Sequence, residues 1–195
     1  YVHERIFISS VVPSSGPVSG GTRLSVLGAS FRESATLRCR LDESGSTAAA
    51  RVVSSNQVEC AAPSSSGVGV RQIEVSMNGQ QYSSSGVEYT YRAAVGVSSV
   101  WPSRGAAEGG TPVTLLGSGF SAAAEALGEL WCRFNSTAYR ASYVSDSAAV
   151  CNTTQSAAGL VSVEMSTNGR DFSSGDAQFE FVSVTVSSLT PWSGP

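Results

Sequence analysis

Short stretches of this chain alternate apolar and polar residues with period two. Thr22, Leu24 and Val26 alternate with Arg23 and Ser25; Leu37 and Cys39 with Arg38 and Arg40; Val58 and Cys60 flank Glu59. Ile73, Val75 and Met77 stand against Gln72, Glu74 and Ser76, and Val87, Tyr89 and Tyr91 follow. One apolar face per stretch predicts antiparallel strands half exposed to water. The scheme returns in Thr111, Val113, Leu115; Leu130, Cys132, Phe134; Val161, Val163, Met165; and Ala177, Phe179, Phe181. Asn78-Gly79 and Asn168-Gly169 are expected to supply hairpin turns that need positive φ. About seven short strands in roughly 90 residues predict an all-β fold, an immunoglobulin-like sandwich, in each half. The exception is the Ala-rich stretch from Ala122 to Leu127, which has the composition of one helical turn but is read as an insertion in a loop.

The alternation recurs because the chain repeats itself. Val11-Val12-Pro13 through Gly20-Gly21-Thr22 to Phe31 returns as Val100-Trp101-Pro102 through Gly109-Gly110-Thr111 to Phe120, and Gly21 and Gly110 stand 89 positions apart (110 − 21). A third copy starts at Val186, with Gly194 another 89 beyond Gly105 (194 − 105). A period of this size means serial domains, each burying its own core. The expected division is 1–7 as the end of a preceding repeat, 8–93 and 94–185 as two domains, and 186–195 as the start of a third. The chain thus reads as a section of a longer array.

Composition narrows the class. The 195 residues, 41% hydrophobic and 14% charged, suffice for two modest cores. A net charge of −3 and a pI near 5.2 give no basic field for phosphates, so no nucleic-acid partner is expected. No apolar stretch reaches the roughly 20 residues of a membrane span, so no membrane contact by these residues is expected.

Each repeat holds one cysteine pair, Cys39 with Cys60 and Cys132 with Cys151. Of the three possible connectivities, only Cys39–Cys60 with Cys132–Cys151 suits two self-contained domains. Each bridge closes a loop of about 20 residues, contributing on the order of 3 kcal/mol by loop entropy. A separation of 21 residues (60 − 39) is too short for the cross-sheet bridge of an antibody domain, so the bridge is expected to staple adjacent elements at one end of the sandwich. The alternative is four buried free thiols. Against it stand two glycosylation sequons, Asn135-Ser136-Thr137 and Asn152-Thr153-Thr154, which together with paired cysteines point to the secretory pathway. Asn135 is the better-placed acceptor, because the disulfide at Cys151 is expected to crowd Asn152.

The motif Pro13, Gly16, Gly20-Gly21-Thr22, Leu24, Val26, Gly28 and Phe31, followed by Cys39, Val58, Cys60, Pro63, Asn78-Gly79, Tyr89 and Tyr91, resembles the IPT/TIG domain. That family includes extracellular modules of plexins, Met-type receptors and fibrocystin-like surface proteins. The resemblance covers Ile8 to Phe181; the second copy departs from it by lacking a proline soon after Cys151 and by inserting residues between Phe120 and Cys132. It implies a non-catalytic ectodomain module without cofactor, whose partners are other domains of the same array or a surface protein, with N-linked glycans as its modification.

Catalytic chemistry has no foothold in the residues. The lone histidine, His3, has no partner set, and Gly67-Val68-Gly69 and Gly117-Ser118-Gly119 lack the third glycine of a dinucleotide loop. No catalytic, cofactor or metal residue is therefore expected. Trp131 precedes Cys132 and is expected on the outer face beside Asn135, as a contact candidate or partly covered by a neighbouring strand. Trp101 and Trp192, each beside a proline at the start of successive copies, are expected to pack the joints between domains. Residues Arg92 to Val97 are too few for a free tether. The sequence thus reads as an extracellular structural or adhesive module of a stalk, filament or receptor ectodomain, mediating spacing and protein–protein or self-association. Two other readings stay open: an accessory carbohydrate-binding module, for which Trp131 and Tyr139 are the candidate sugar platform, and a transcription-factor dimerisation domain, which would keep its cysteines reduced.

Overall fold

The computed structural model describes residues 5–41 and 46–183; His3, Trp192 and the whole of the expected third repeat lie outside them. The described residues are nearly all β, with 53% strand and 3% helix. It divides into two units, Tyr1–Val95 with Ser166–Ser173, and Gly96–Met165 with Ser174–Pro195.

The first unit is built from β1 (Phe7–Val12), β2 (Ser15–Pro17), β3 (Arg23–Ala29), β4 (Arg38–Leu41), β5 (Thr47–Ser54), β6 (Gln57–Ala61), β7 (Gly69–Ser76) and β8 (Glu88–Arg92). They hydrogen-bond in the order β1-β3-β6-β5-β4-β7-β8-β2. Alternation follows the expected faces: Leu24, Val26, Cys39, Val58, Ile73, Val75, Tyr89 and Tyr91 are buried, while the residues between them point outward. Strand β5 serves both layers of the sandwich, its start pairing with β4 and its end with β6.

The second unit repeats the plan with β9 (Gly96–Trp101), β10 (Arg104–Ala106), β11 (Pro112–Ser118), α1 (Ala122–Ala126), β12 (Trp131–Phe134), β13 (Thr137–Arg140), β14 (Ser142–Ser145), β15 (Ala148–Asn152), β16 (Gly159–Ser166) and β17 (Gln178–Val182). Here the bent strand is two strands, β13 and β14, joined at the buried Ala141, so two sheets result: β10-β17-β16-β12-β13 and β14-β15-β11-β9. Their inner faces enclose Val113, Leu115, Leu130, Phe134, Val163, Met165, Phe179 and Phe181. Phe134, Phe179 and Phe181 meet edge to face, with centroids 5.0 to 6.3 Å apart.

Three expectations are corrected. The Ala-rich insertion is a helix: Ser121 caps it, its Oγ accepting from the Ala124 amide at 3.3 Å, and Ala124 is fully buried. Alanine's high helix propensity and a capped first turn favour this over an irregular loop. Asn78-Gly79 is not a two-residue hairpin. Register runs from Gly69↔Tyr91 to Gln72↔Glu88, so residues 77–87 form a long connection in which Asn78 Oδ1 accepts from the amides of Gln80 and Gln81. Gly79 does take positive φ, at 73°. The third correction concerns the disulfides. Cys39–Cys60 and Cys132–Cys151 are both bonded, each with Cα atoms 6.5 Å apart. Yet β4 and β6 are not hydrogen-bonded neighbours. The bridge crosses the bend of β5 and ties one layer to the other, and the alanines opposite it there, Ala48 facing Cys39 and Ala50 facing Cys60, leave room for the sulfurs.

Candidate functional site

The outward face of the sheet β14-β15-β11-β9 separates the two units chemically. In the second unit, Val113, Leu115, Ala149 and Cys151 are buried, so their strand neighbours face outward. Register aligns Trp101, Thr114, Val150 and Ser142 in one row across the four strands. Ser99, Leu116 and Ala148 form the next row, and Pro112 pairs with Asn152 on the other side. No ionisable side chain stands among these nine. Trp101 is 73% exposed and Leu116 42%. The corresponding row of the first unit reads Val12, Ser25, Glu59, Arg51, with an Arg51–Glu59 ion pair of 2.7 Å. The two sandwiches thus share a backbone and differ on this face, charged in one and uncharged with a bare indole in the other.

Trp101 is the bare indole of that row. It ends β9 on the outward face, opposite Thr114, where its ring meets solvent. Trp192 lies outside the described residues. Trp131 is half-buried on the outer face of β12: its Nε1–H donates to Gly128 O at 3.2 Å, and the guanidinium of Arg140, its partner on β13, lies 4.7 Å over the ring. Arg140 also donates to Gly128 O. The sequence singled out Trp131 but not Arg140, whose role depends on the β12–β13 register. Tyr139 faces the other way, opposite Cys132, stacks in tilted fashion on Phe134 at 6.3 Å and bonds Thr154 Oγ1 through its hydroxyl. The structure therefore does not bring Trp131 and Tyr139 together as a coplanar pair.

Both sequon asparagines are exposed. Asn135 sits at φ 55° in the tight turn between β12 and β13. Asn152 ends β15, and alternation turns it away from the disulfide rather than beneath it; the crowding expected from Cys151 does not arise. Among the described residues, no three His, Cys, Asp or Glu side chains gather as a metal site requires.

The IPT/TIG domain family matches residues 7–91 and again 96–181. The chain belongs to that family. Human fibrocystin-L is 36% identical over 122 residues, 58% of this chain and 3% of fibrocystin-L. The full extracellular region of plexin A4, domains 1 to 10, superposes with a TM-score of 0.56 at 21% identity over 96% of this chain and 16% of that one. A second structure of the plexin A4 extracellular region gives a TM-score of 0.50 at 21% identity over 91% of this chain and 18% of that one. At that identity the plexin likeness is one of fold. The chain spans only a small fraction of each of these relatives.

Both IPT/TIG domains carry an equivalent ion pair on the outer side of the other layer, Arg40 with Glu74 at 2.6 Å and Arg133 with Glu164, whose Nε–Oε2 distance is 2.7 Å. In the first domain Arg40 also lies 4.0 Å over the ring of Tyr82. In the second domain, the Tyr143 hydroxyl donates to Asp146. That hydrogen bond, with lesser contributions from desolvation and from the carboxylate's charge, raises the phenol above the usual tyrosine value.

Proposed function

We propose that this chain is a non-catalytic extracellular module, part of a multi-domain stalk, filament or receptor ectodomain, working by spacing and by protein–protein or self-association. We read it as two domains over 8–93 and 94–185 within a longer array. The observation that carries this reading is the disulfide in each unit: two serial sandwiches, each with its own core and its own bridge between layers, suit an oxidising compartment and a mechanical role. Similarity to a short stretch of fibrocystin-L supports membership of a longer array, and secretion supports N-linked glycans at the exposed Asn135 and Asn152.

The test is expression in a eukaryotic secretory host followed by thiol counting, glycopeptide mapping and sedimentation velocity across a concentration series. Secreted protein without free thiols, modified at Asn135 and Asn152 and associating with rising concentration, is the expected result. Retention in the cell with reduced cysteines rejects the compartment. A species that stays monomeric at every concentration rejects self-association.

A further inference from the structure

We propose that the glycan on Asn152 lies across the outward face of β15, β11 and β9 and stacks on Trp101, so that this sheet's bare apolar face is covered by the chain's own sugar. The proposal rests on the reading of Asn152 as a glycosylated residue.

Three observations converge. Asn152 and Trp101 share one face: Asn152 pairs with Pro112, and Trp101 pairs with Thr114 on the opposite edge of the same strand β11. Two strand spacings across and two residues along put their Cα atoms about 12 Å apart. An asparagine side chain and the first sugars of an N-linked glycan span such a distance.

The face between them has the chemistry a sugar needs. Pyranose rings present a flat C–H side, slightly positive, that settles on the negative face of an aromatic ring. They also carry hydroxyls that bond to side chains such as Thr114. Trp101, Val150 and Leu116 supply the apolar floor, and no charge on the face requires hydration. A largely exposed tryptophan next to a half-exposed leucine on a row without charges offers the sugar apolar surface to cover.

The first domain acts as an internal control. Its equivalent of Asn152 is Ala61, opposite Arg23, and its equivalent of Trp101 is Val12. Where the sequon is missing, the tryptophan is missing too, and the Arg51–Glu59 pair solvates the face instead.

The test uses the full chain secreted from a eukaryotic host, with Asn135→Gln so that Asn152 is the remaining sequon, and with Trp131→Phe and Trp192→Phe so that Trp101 is the sole indole. Acrylamide quenching is compared before and after enzymatic removal of the glycan. The expected quenching constant with glycan is about half that without, because one of the two ring faces is shielded. Should the Phe substitutions impair folding, a thermal double-mutant cycle replaces the optical readout. In otherwise native sequence, Asn152→Gln lowers Tm in the Trp101-containing chain and leaves Tm unchanged in Trp101→Ala. An unmodified Asn152 overturns both this proposal and the glycosylation reading. A modified Asn152, with quenching and the cycle both insensitive to the sugar, overturns the stacking alone and leaves the glycosylation site standing.

Discussion

Gly105 lies under Phe179 and beside Thr111, and a Cβ built on it would overlap Thr111 Oγ1 and stand 2.8 Å from the Phe179 ring; its counterpart Gly16 would overlap Tyr89 Oη and Thr22 Oγ1. The glycine of the Pro-x-x-Gly motif is there because the first short strand runs hard against the last. Gly105→Ala is therefore expected to destabilise the second domain by about 1–3 kcal/mol through overpacking. Gly110 differs: its φ is +80° but nothing lies within 4 Å of an added Cβ. Gly110→Ala should cost only the left-handed backbone penalty, about 1–2 kcal/mol. Chemical denaturation of the two variants measures the cost of crowding and of backbone strain separately, and a Gly105→Ala domain as stable as the parent would show that space is not what fixes Gly105. Tyr143 offers a second residue-level test. Because its folded pKa is raised, its bond to Asp146 is fully present below the unfolded tyrosine value and is lost as pH rises through the folded one. In an ultraviolet phenolate titration, Tyr143→Phe should remove a late-ionising phenol, and Asp146→Asn should shift that phenol to lower pH.

At the scale of elements, the strands were legible because one face of each is apolar and the other polar, and two copies of the pattern confirmed each other. What failed was whatever depended on partners. Helix α1 spans five residues, and its stability comes from the Ser121 cap, the burial of Ala124 and the Glu125 carboxylate accepting from the Tyr143 amide at 3.0 Å. Only the propensity is visible in the sequence. Ser121→Ala is expected to cost about 1 kcal/mol, and exchange of the amides in 122–127 should accelerate accordingly. The bend of β5 was invisible for the same reason, since nothing local announces that one strand pairs with two layers. Asn78-Gly79 misled in the opposite direction, for the dipeptide does turn the chain but inside a long connection. In the candidate site, both sequons could be read directly, whereas the shared face of Asn152 and Trp101 exists only through the register of β11.

For the whole molecule, serial organisation was the most legible property, because an 89-residue offset survives wherever the composition drifts. The face that Trp101 occupies was not legible in that offset, because a residue's place in a repeat does not state it; the β9–β11 register puts it on the outward side. Two compact units with separate cores lead to a test of where each disulfide acts. Cys132→Ala with Cys151→Ala should destabilise by about 2–4 kcal/mol. Hydrogen exchange should then show lost protection in β12, β13 and β15, while amides around Cys39 and Cys60 keep theirs.

The cross-layer bridges also bear on how the chain responds to a pull along its length. Each closes off the segment between its cysteines, 21 residues apart in the first domain and 19 in the second. Tension that unravels a sandwich stops at the sulfur linkage, so the slack released per domain is shorter by about 60–65 Å, the extended length of the locked segment less the width of the bridge. Reduction would let out that hidden length, making the thiol–disulfide state of the surroundings a setting for how far an array of such domains stretches before it is taut.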